Sequence, residues 1–257
     1  MRGEERTDLI SHLSELRARL LRTLLYIVLA ATFVSFFFNP LYRLLVGPIL
    51  AGVKDAGGFM TMRGVMEGLV LRLWVILLGG LVIAMPFIYL EVWGFIRPGL
   101  TRHERRVVAP LAPVSGILFL FGVAMAYAIT RPSVAWLLAL RPPETQLYLT
   151  LTDTIILFLK FYIAFGLGFQ LPIVMVILAA LHIVSSRFLI RYWREATVVI
   201  FILAAIITPT WDPLTMTVAA LPMVLLYLGT IGFIKIMERR RQKHLAAELE
   251  QTTPSEP

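Results

Sequence analysis

Six long apolar runs constrain the fold of this chain more than any other feature of its sequence. They cover residues 20–38, 69–90, 107–129, 153–181, 196–207 and 214–236. A helix needs about 20 apolar residues to cross about 30 Å of hydrocarbon, and every run except the fifth comes close to that length. With 58% hydrophobic and 16% charged residues, the chain is too apolar for one soluble core. The sequence therefore predicts an all-α integral membrane protein with six transmembrane helices.

The short fifth run and the prolines predict departures from a regular helix bundle. Aromatic residues typical of membrane interfaces, Tyr192 with Trp193 and then Trp211, flank the fifth run. We expect a locally thinned bilayer beside it, or else a fifth helix buried entirely in protein. Prolines inside the runs remove helical hydrogen bonds, and the resulting kinks favour a concave, non-bundle arrangement, although any single kink also fits a purely structural role. These prolines are Pro86, Pro110, Pro113, Pro172 and Pro222.

The positive charges predict the orientation of the chain in the membrane. Most of the 24 lysine and arginine residues lie in the N-terminal segment, in the loops after the second and fourth runs, and in the C-terminal tail. Because cytoplasmic segments carry an excess of Lys and Arg, we expect both termini to be cytoplasmic. Residues 1–241 then form the membrane domain, and residues 242–257 a disordered cytoplasmic tail. This topology also accounts for the net charge of +8, so nucleic acid is not an expected partner.

Two of the cytoplasmic segments have the character of a docking surface. In the N-terminal segment, leucines recur at helical spacing and predict an amphipathic helix at the membrane surface. Glu15 of this segment is followed four residues later by Arg19. The second segment is the basic loop 91–106, in which Glu104 lies among arginines. Each glutamate is either neutralised by its own neighbours or available to a cationic partner, and the spacing leaves both interpretations open.

A polar residue also lies deep within an apolar run. Gln170 is near the middle of the fourth run, where an amide is costly unless it is hydrogen-bonded or faces a wet cavity. It either lines a groove that receives part of a substrate or joins two spans by a hydrogen bond. Lys160, in the same run, is expected to extend its ammonium group to the external interface.

No catalytic constellation is found in the sequence. The chain has no cysteine, and its four histidines fall in cytoplasmic segments or at interfaces. Nucleophile–histidine pairs, metal-binding motifs and phosphate-binding glycine loops are absent from the sequence. We therefore expect neither an enzyme nor a bound metal or cofactor. A carrier of ions or small molecules, and a passive scaffold for single-span helices, stay open as alternatives to a docking function.

Five stretches together resemble the motifs of one family. They are residues 11–20, residues 92–106, residues 165–172, Ile207-Thr208-Pro209 with Asp212, and Leu221-Pro222. In the same order they resemble motifs of the TatC family, the multi-spanning subunits of the twin-arginine protein translocase. The resemblance implies a receptor for signal peptides with two consecutive arginines, in a translocase that moves folded proteins across the cell inner membrane by using the proton-motive force. It also implies single-span partners of the TatA and TatB type, membrane lipid, and an oligomeric complex.

The resemblance assigns roles to particular residues. The acidic positions that read the arginine pair are Glu15 and Glu104. Further positions of the same signal-peptide-binding surface are Arg17, Phe95, Arg105 and Arg106. An external turn is matched by Pro209 and Asp212, and the polar point of an intramembrane groove by Gln170.

The chain departs from the family pattern at two positions. Gln170 stands where the family usually has glutamate, so polarity is kept but neither a negative charge nor a transferable proton is available. The sixth run lacks the glutamate that often follows the motif Leu221-Pro222. Tyr227 is a candidate to replace that glutamate in contacts with a partner's polar residue.

Overall fold

Helices form nearly all of the backbone that the computed structural model describes, namely residues 2–99, 101, 105, 109–140, 142, 148–208 and 213–252. Side chains are described within these ranges from residue 13 to residue 242, apart from residues 99, 214 and 241. The first helices are α1 (Arg2–Phe36), α2 (Phe38–Asp55) and α3 (Glu67–Ile96). The later ones are α4 (Leu111–Ala139), α5 (Leu151–Gly168), α6 (Leu171–Ala180), α7 (Ser186–Arg191), α8 (Trp193–Ile207) and α9 (Pro213–Thr252).

Five helical segments are long and apolar enough to cross a membrane. They are Leu13–Phe36, Glu67–Ile96, Leu111–Ala139, Leu151–Ala180 and Thr215–Arg240. These segments coincide with the first four apolar runs and the sixth. The all-α prediction is therefore confirmed, and the described fold is that of a multi-pass membrane protein.

Helix α8 corresponds to the short fifth run. It has 15 residues, and a helix of that length rises about 22 Å, which is less than the hydrocarbon thickness of a bilayer. Val198, Ile202 and Ile206 are all more than half exposed on this chain. The alternative of a fifth helix buried entirely in protein is therefore wrong for the isolated chain.

A pair of short strands was not expected from the sequence. β1 (Phe59–Thr61) and β2 (Tyr148–Thr150) pair in parallel, with Phe59 opposite Tyr148. Strands of three residues are too short to produce a recognisable alternating pattern. Near this pair, Arg131 donates a hydrogen bond to Asp55 at 2.8 Å, which joins α2 to α4 and lowers the pKa of the Asp55 carboxyl.

Helix α3 is the element that α1, α4 and α5 all contact. Its most extensive contact is with α1, while α2 packs mainly against α4. Large side chains fill the centre of the α4–α5 contact, where Phe119, Tyr162 and Phe165 are fully buried. The Tyr162 hydroxyl donates a hydrogen bond to the Leu45 carbonyl oxygen at 3.2 Å, so α2 is fixed to the same core. At the other end of the chain, α9 packs on α6, α7 and α8.

The prolines act mostly at helix ends rather than inside the spans. Pro110 precedes α4 and Pro113 lies in its first turn, while Pro172 lies in the first turn of α6. Proline is tolerated in the first turn because those N–H groups have no partner within the helix. Pro86 and Pro222 lie inside α3 and α9. Three of the five expected kinks are therefore helix starts, and the fourth run is divided into α5 and α6.

The C-terminal segment also differs from the expectation. The sequence predicts a disordered tail from residue 242, but helix α9 continues to Thr252. Alanine, leucine and glutamate dominate the segment 245–250, and these residues are strong helix formers. Residues 253–257 of the predicted tail lie outside the described residues.

The closest approach of α4 and α5 gives a test of this packing. A Cβ atom at Gly122 would lie 2.9 Å from the Cα atom of Gly166, and also 2.9 Å from the Phe169 ring. Gly122→Ala should therefore lower the free energy of unfolding by about 1–3 kcal/mol, because backbone and a buried ring must move apart. Thermal unfolding in detergent measures the change.

Gly229→Ala is the matched control, since no atom lies within 4 Å of a Cβ built at Gly229 in α9. Alanine favours helix over glycine by about 1 kcal/mol, so this variant should be as stable as the parent or more stable. Equal unfolding temperatures for the two variants would contradict the close α4–α5 contact.

Candidate functional site

Charged side chains join α1 to the last turns of α3. Arg19 of α1 donates from Nε and Nη2 to Oε1 of Glu15, at 3.0 and 2.6 Å. Its third nitrogen, Nη1, donates to Oε2 of Glu91 at 3.1 Å. The other carboxylate oxygen of Glu91 receives Arg22 at 3.3 Å and the Tyr26 hydroxyl at 3.2 Å. We call these five residues the α1–α3 charge cluster.

The cluster has a buried carboxylate and a partly exposed one. The side chain of Glu91 is 10% exposed, whereas that of Glu15 is 34% exposed. A buried carboxylate is tolerated only when it is paired and hydrogen-bonded, which Arg19, Arg22 and Tyr26 provide. Both hydrogen bonds to Glu15 are accepted by Oε1, and the described residues offer no hydrogen bond to its Oε2. Within the described part of the chain, Oε2 of Glu15 is therefore an acceptor without a donor.

Glycine makes room for this arrangement. A Cβ atom at position 94 would lie 2.0 Å from Nη1 of Arg19 and 2.8 Å from its Cζ atom. Gly94 is one turn beyond Glu91 on α3, so the guanidinium group lies directly on the helix backbone. The Arg19 position thus depends on a missing side chain as well as on the two carboxylates.

The structure combines the two interpretations that the spacing of Glu15 and Arg19 leaves open. The two side chains do form an ion pair within one helix. Arg19 is nevertheless shared with Glu91, 72 residues away in sequence, so it does not serve Glu15 alone. Sequence reasoning missed Glu91 as a site residue, although a lone carboxylate near the end of an apolar run is a signal for such a pairing.

The other predicted residues of the surface are only partly described. Arg17 of α1 and Arg105 after α3 are exposed, and Phe95 is half-buried in the last turn of α3. Glu15 and Phe95 therefore flank the same helix junction, since the cluster joins Glu15 to α3 one turn before Phe95. The remaining predicted residues, outside the described residues, are Glu104, Arg106, Pro209 and Asp212.

Gln170 joins helices by a hydrogen bond. Its Nε2 donates to the Ser115 carbonyl oxygen at 3.1 Å, at the break between α5 and α6. The Ser115 hydroxyl in turn accepts from Trp93 Nε1 at 2.9 Å and donates to the Leu111 carbonyl oxygen at 2.8 Å. This chain of contacts links α3, α4 and the α5–α6 break, which is the helix-joining interpretation of Gln170. The residue is also half-exposed, so a groove-lining role is compatible with the same geometry.

The Tyr227 side chain is already engaged within the chain. Its hydroxyl donates to the Leu189 carbonyl oxygen at 2.9 Å and the residue is 5% exposed. The suggested substitution of Tyr227 for a partner-contacting glutamate is therefore not supported. Glu238, further along α9, accepts hydrogen bonds from the backbone N–H and the hydroxyl of Ser186. Together these contacts fasten α9 to the short helix α7.

Cations inside the spans contact aromatic rings. Lys160 Nζ lies 5.5 Å from the centre of the Trp74 ring, and Arg72 Cζ lies 4.7 Å from that of Phe38. Tryptophan is enriched at membrane interfaces, so the Lys160 contact agrees with an ammonium group that reaches towards the interface.

The hollow beside the α5–α6 break does not suit an ion. It has a volume of about 230 Å³ and opens between α6, α8 and α9. Its walls include Leu171, Met175, Leu203 and Met223. Within the described part of the chain, no group of three or more acidic or histidine side chains is placed to hold a metal ion.

The Gln170 contact predicts a pH-dependent variant. Gln170→Glu should destabilise the protein by about 1–3 kcal/mol at neutral pH, because an ionised carboxylate cannot donate to the Ser115 carbonyl oxygen. A neutral carboxyl can donate, so the folded state favours the protonated side chain. The lost stability should return as the pH falls towards the ordinary glutamate pKa of about 4.3.

Thermal unfolding of this variant between about pH 4 and pH 8 measures the effect. Gln170→Met removes the donor without adding a titratable group, so its loss of stability should not depend on pH. A pH-independent loss in Gln170→Glu as well would contradict the assigned hydrogen bond.

Comparison with known proteins agrees with the motifs. A family model described as Sec-independent protein translocase protein (TatC) matches residues 11–222. TatC of Koribacter versatilis is 33% identical over 248 residues, which covers 94% of this chain and 91% of that protein. TatC of Escherichia coli strain K12 is 30% identical over 228 residues, which covers 88% of each.

A solved structure agrees with the fold. The crystal structure of the twin-arginine translocase receptor TatC in DDM superposes with a TM-score of 0.73 at 30% identity, over 87% of this chain and 99% of that chain. Translocase subunits of this kind are membrane transport components and not an enzyme family. Because the family model and the relatives cover most of the sequence, this chain belongs to the TatC family of Sec-independent protein translocase proteins.

Proposed function

We propose that this chain is a receptor for twin-arginine signal peptides and the core subunit of a translocase that moves folded proteins by using the proton-motive force. Membership of the TatC family supports the proposal, as does the description of a solved relative as a twin-arginine translocase receptor. The observation that carries it is the placement of Glu15, whose partly exposed carboxylate is joined through Arg19 to the last turns of α3 and receives no hydrogen bond at Oε2 from the described residues.

The chemistry of arginine suits such a site. The planar guanidinium group donates parallel hydrogen bonds to a carboxylate, which an ammonium group cannot do. Glu15 is proposed to bind one arginine and Glu104, in the loop after α3, the other. Each charge-assisted hydrogen bond contributes about 1.5–3 kcal/mol, and less where water screens it, so two sites favour paired arginines over a single one. Further contacts are proposed for Arg17, Phe95, Arg105 and Arg106.

The proposed topology has six spans with both termini in the cytoplasm of the cell, within one membrane domain of residues 1–241 in the inner membrane. The five long apolar helices and the short α8 supply the spans. The excess of Lys and Arg in alternate connecting segments supports the orientation. A concave arrangement is supported by the half-exposed Gln170, which would line the groove that receives the apolar part of a signal peptide.

The proposed partners are TatA-type and TatB-type single-span proteins, membrane lipid, and cargo that carries a twin-arginine signal, in an oligomeric complex. Large apolar side chains remain exposed along α1 and α8, including Leu24, Phe33, Val198 and Ile202, and lipid or partner helices can cover them. The turn that carries Pro209 and Asp212 is proposed to lie on the external side, between α8 and α9.

Charge reversal tests the proposed receptor site. Glu15→Lys and Glu104→Lys should each lower the affinity for a twin-arginine peptide at least about tenfold, since each places a cation where a guanidinium group docks. Binding of a fluorescent peptide to the detergent-purified protein, with a twin-lysine peptide as reference, measures the affinity.

Glu195→Lys makes the same charge change at an exposed position of α8 and should leave the affinity unchanged. Parental affinity in both Glu15→Lys and Glu104→Lys would sink the assignment. It would favour the alternative of a passive scaffold, in which another subunit reads the arginines.

Single cysteines test the proposed topology, because the chain has no cysteine of its own. Val65, between β1 and α3, is 98% exposed. Val65→Cys should react with a membrane-impermeant maleimide added to intact cells. Arg187→Cys, in α7, should react only after the membrane is opened, since three long spans separate the two positions.

Gln242→Cys decides whether α8 crosses the membrane. With six spans it should behave as Arg187→Cys does, because α8 and α9 then cross in opposite directions. Labelling of Gln242→Cys in intact cells, with Arg187→Cys protected, would leave only five spans.

A further inference from the structure

Arg19 lies between a partly exposed carboxylate and a buried one. Nε and Nη2 of its guanidinium group point to Oε1 of Glu15, and Nη1 points to the carboxylate and the backbone oxygen of Glu91. The planar group is therefore fixed from both edges, because all its nitrogens are engaged at the same time. The recognition surface assigned above does not include Glu91.

Glu91 is itself firmly held. Arg22 and the Tyr26 hydroxyl bind its Oε1, which leaves Oε2 for Arg19. With two glutamates and two arginines, the cluster has no net charge. Because Arg19 is shared, its charge is divided between Glu91 and Glu15, and Glu15 keeps part of its attraction for a further cation.

Gly94 keeps Arg19 in this place. The guanidinium group occupies the space where any other residue would have its Cβ atom. Because the neighbour is the far end of a flexible side chain, a methyl group at this position would displace Arg19 without forcing α1 and α3 apart. A side chain that fills the space above Gly94 should thus disturb Arg19 selectively.

We propose that Glu91 is a positioning residue for signal-peptide recognition. It holds Arg19 in the space above Gly94, and Arg19 holds Oε1 of Glu15, so that Oε2 faces the incoming guanidinium group of a twin-arginine peptide. Glu91 does not touch the peptide. The inference rests on the proposed function of Glu15 and adds what fixes its side chain in advance, which lowers the entropy that binding must overcome.

Gly94→Ala is the sharpest test. We expect roughly tenfold weaker binding of a twin-arginine peptide, as for one weakened charge-assisted hydrogen bond, and little change for a twin-lysine peptide, which needs no oriented acceptor. The unfolding temperature should change little, because Arg22 and Tyr26 still hold Glu91 and alanine favours helix over glycine. A purely structural cluster would instead change stability and leave the ratio of the two affinities alone.

Gly229→Ala is the matched control, because the same substitution in α9 meets no atom within 4 Å. It should bind both peptides as the parent does. A Gly94→Ala variant that binds the twin-arginine peptide as well as this control overturns the proposal. Tighter binding overturns it too, since Arg19 would then be a competitor for Glu15.

Glu91→Gln tests the buried carboxylate directly. The amide keeps a hydrogen-bond acceptor but loses the charge that holds Arg19, so twin-arginine affinity should fall by a similar factor. Arg19→Gln should itself weaken twin-arginine binding, and adding Glu91→Gln to that variant should cause no further loss. Additive losses of affinity would show that Glu91 acts independently of Arg19. They would overturn the proposal that Glu91 positions Glu15 through Arg19.

Measurements on the parent protein distinguish failure of the proposed function from failure of the positioning role of Glu91. If it does not prefer the twin-arginine peptide over the twin-lysine peptide, the proposed function fails, and the positioning role fails with it. If it does prefer the twin-arginine peptide, but Gly94→Ala and Glu91→Gln keep that preference, the positioning role alone is wrong.

Discussion

Hydrocarbon offers no hydrogen-bond partners, and this constraint decides where the polar side chains of the spans are found. Each must meet another group of the chain or reach an interface. Gln170 donates to Ser115 of a neighbouring helix, and Lys160 lies against the Trp74 ring. Glu91, near the end of its span, is held by two arginines. The contacts of Gln170, Lys160 and Glu91 therefore also join neighbouring helices. They fix the register of elements whose apolar faces alone would pack with little preference for register.

The α1–α3 charge cluster shows how such a contact can also shape a recognition surface. Removing one partner of a buried ion pair leaves an uncompensated charge, so the cluster fixes α1 on α3 at one register. The fixed register places Glu15 at the junction where the loop after α3 begins. A carboxylate on a free N-terminal helix would have to be ordered upon binding, whereas here its position is set by contacts that the helices already need. Arg19 therefore takes part both in the contact between the helices and in recognition, while Arg22 and Tyr26 hold Glu91 independently of it.

The sequence was sufficient for the five long apolar helices and insufficient for the partners of their polar residues. Long apolar runs have essentially one solution in a bilayer, which is why α1, α3, α4 and α9 lie where hydropathy predicts. The spacing of Glu15 and Arg19 reveals a pair within one helix, but Glu91 is 72 residues from Arg19, and only the packing of α3 on α1 brings them together. Helix α9 extends to Thr252, beyond the start of the predicted tail, because residues 245–250 favour helix.

At position 170 the chain keeps a polar side chain, as in the family, but not one that can ionise. The helix break after α5 places this side chain against the Ser115 carbonyl oxygen, which can accept a hydrogen bond but cannot donate one. A neutral amide satisfies that oxygen at any pH, whereas a glutamate there would have to carry its proton. An amide cannot release a proton, so position 170 of this chain cannot couple proton movement to transport. Its contribution is to join α4 to the α5–α6 break, and that contact keeps a polar point in the proposed groove without a charge at hydrocarbon depth.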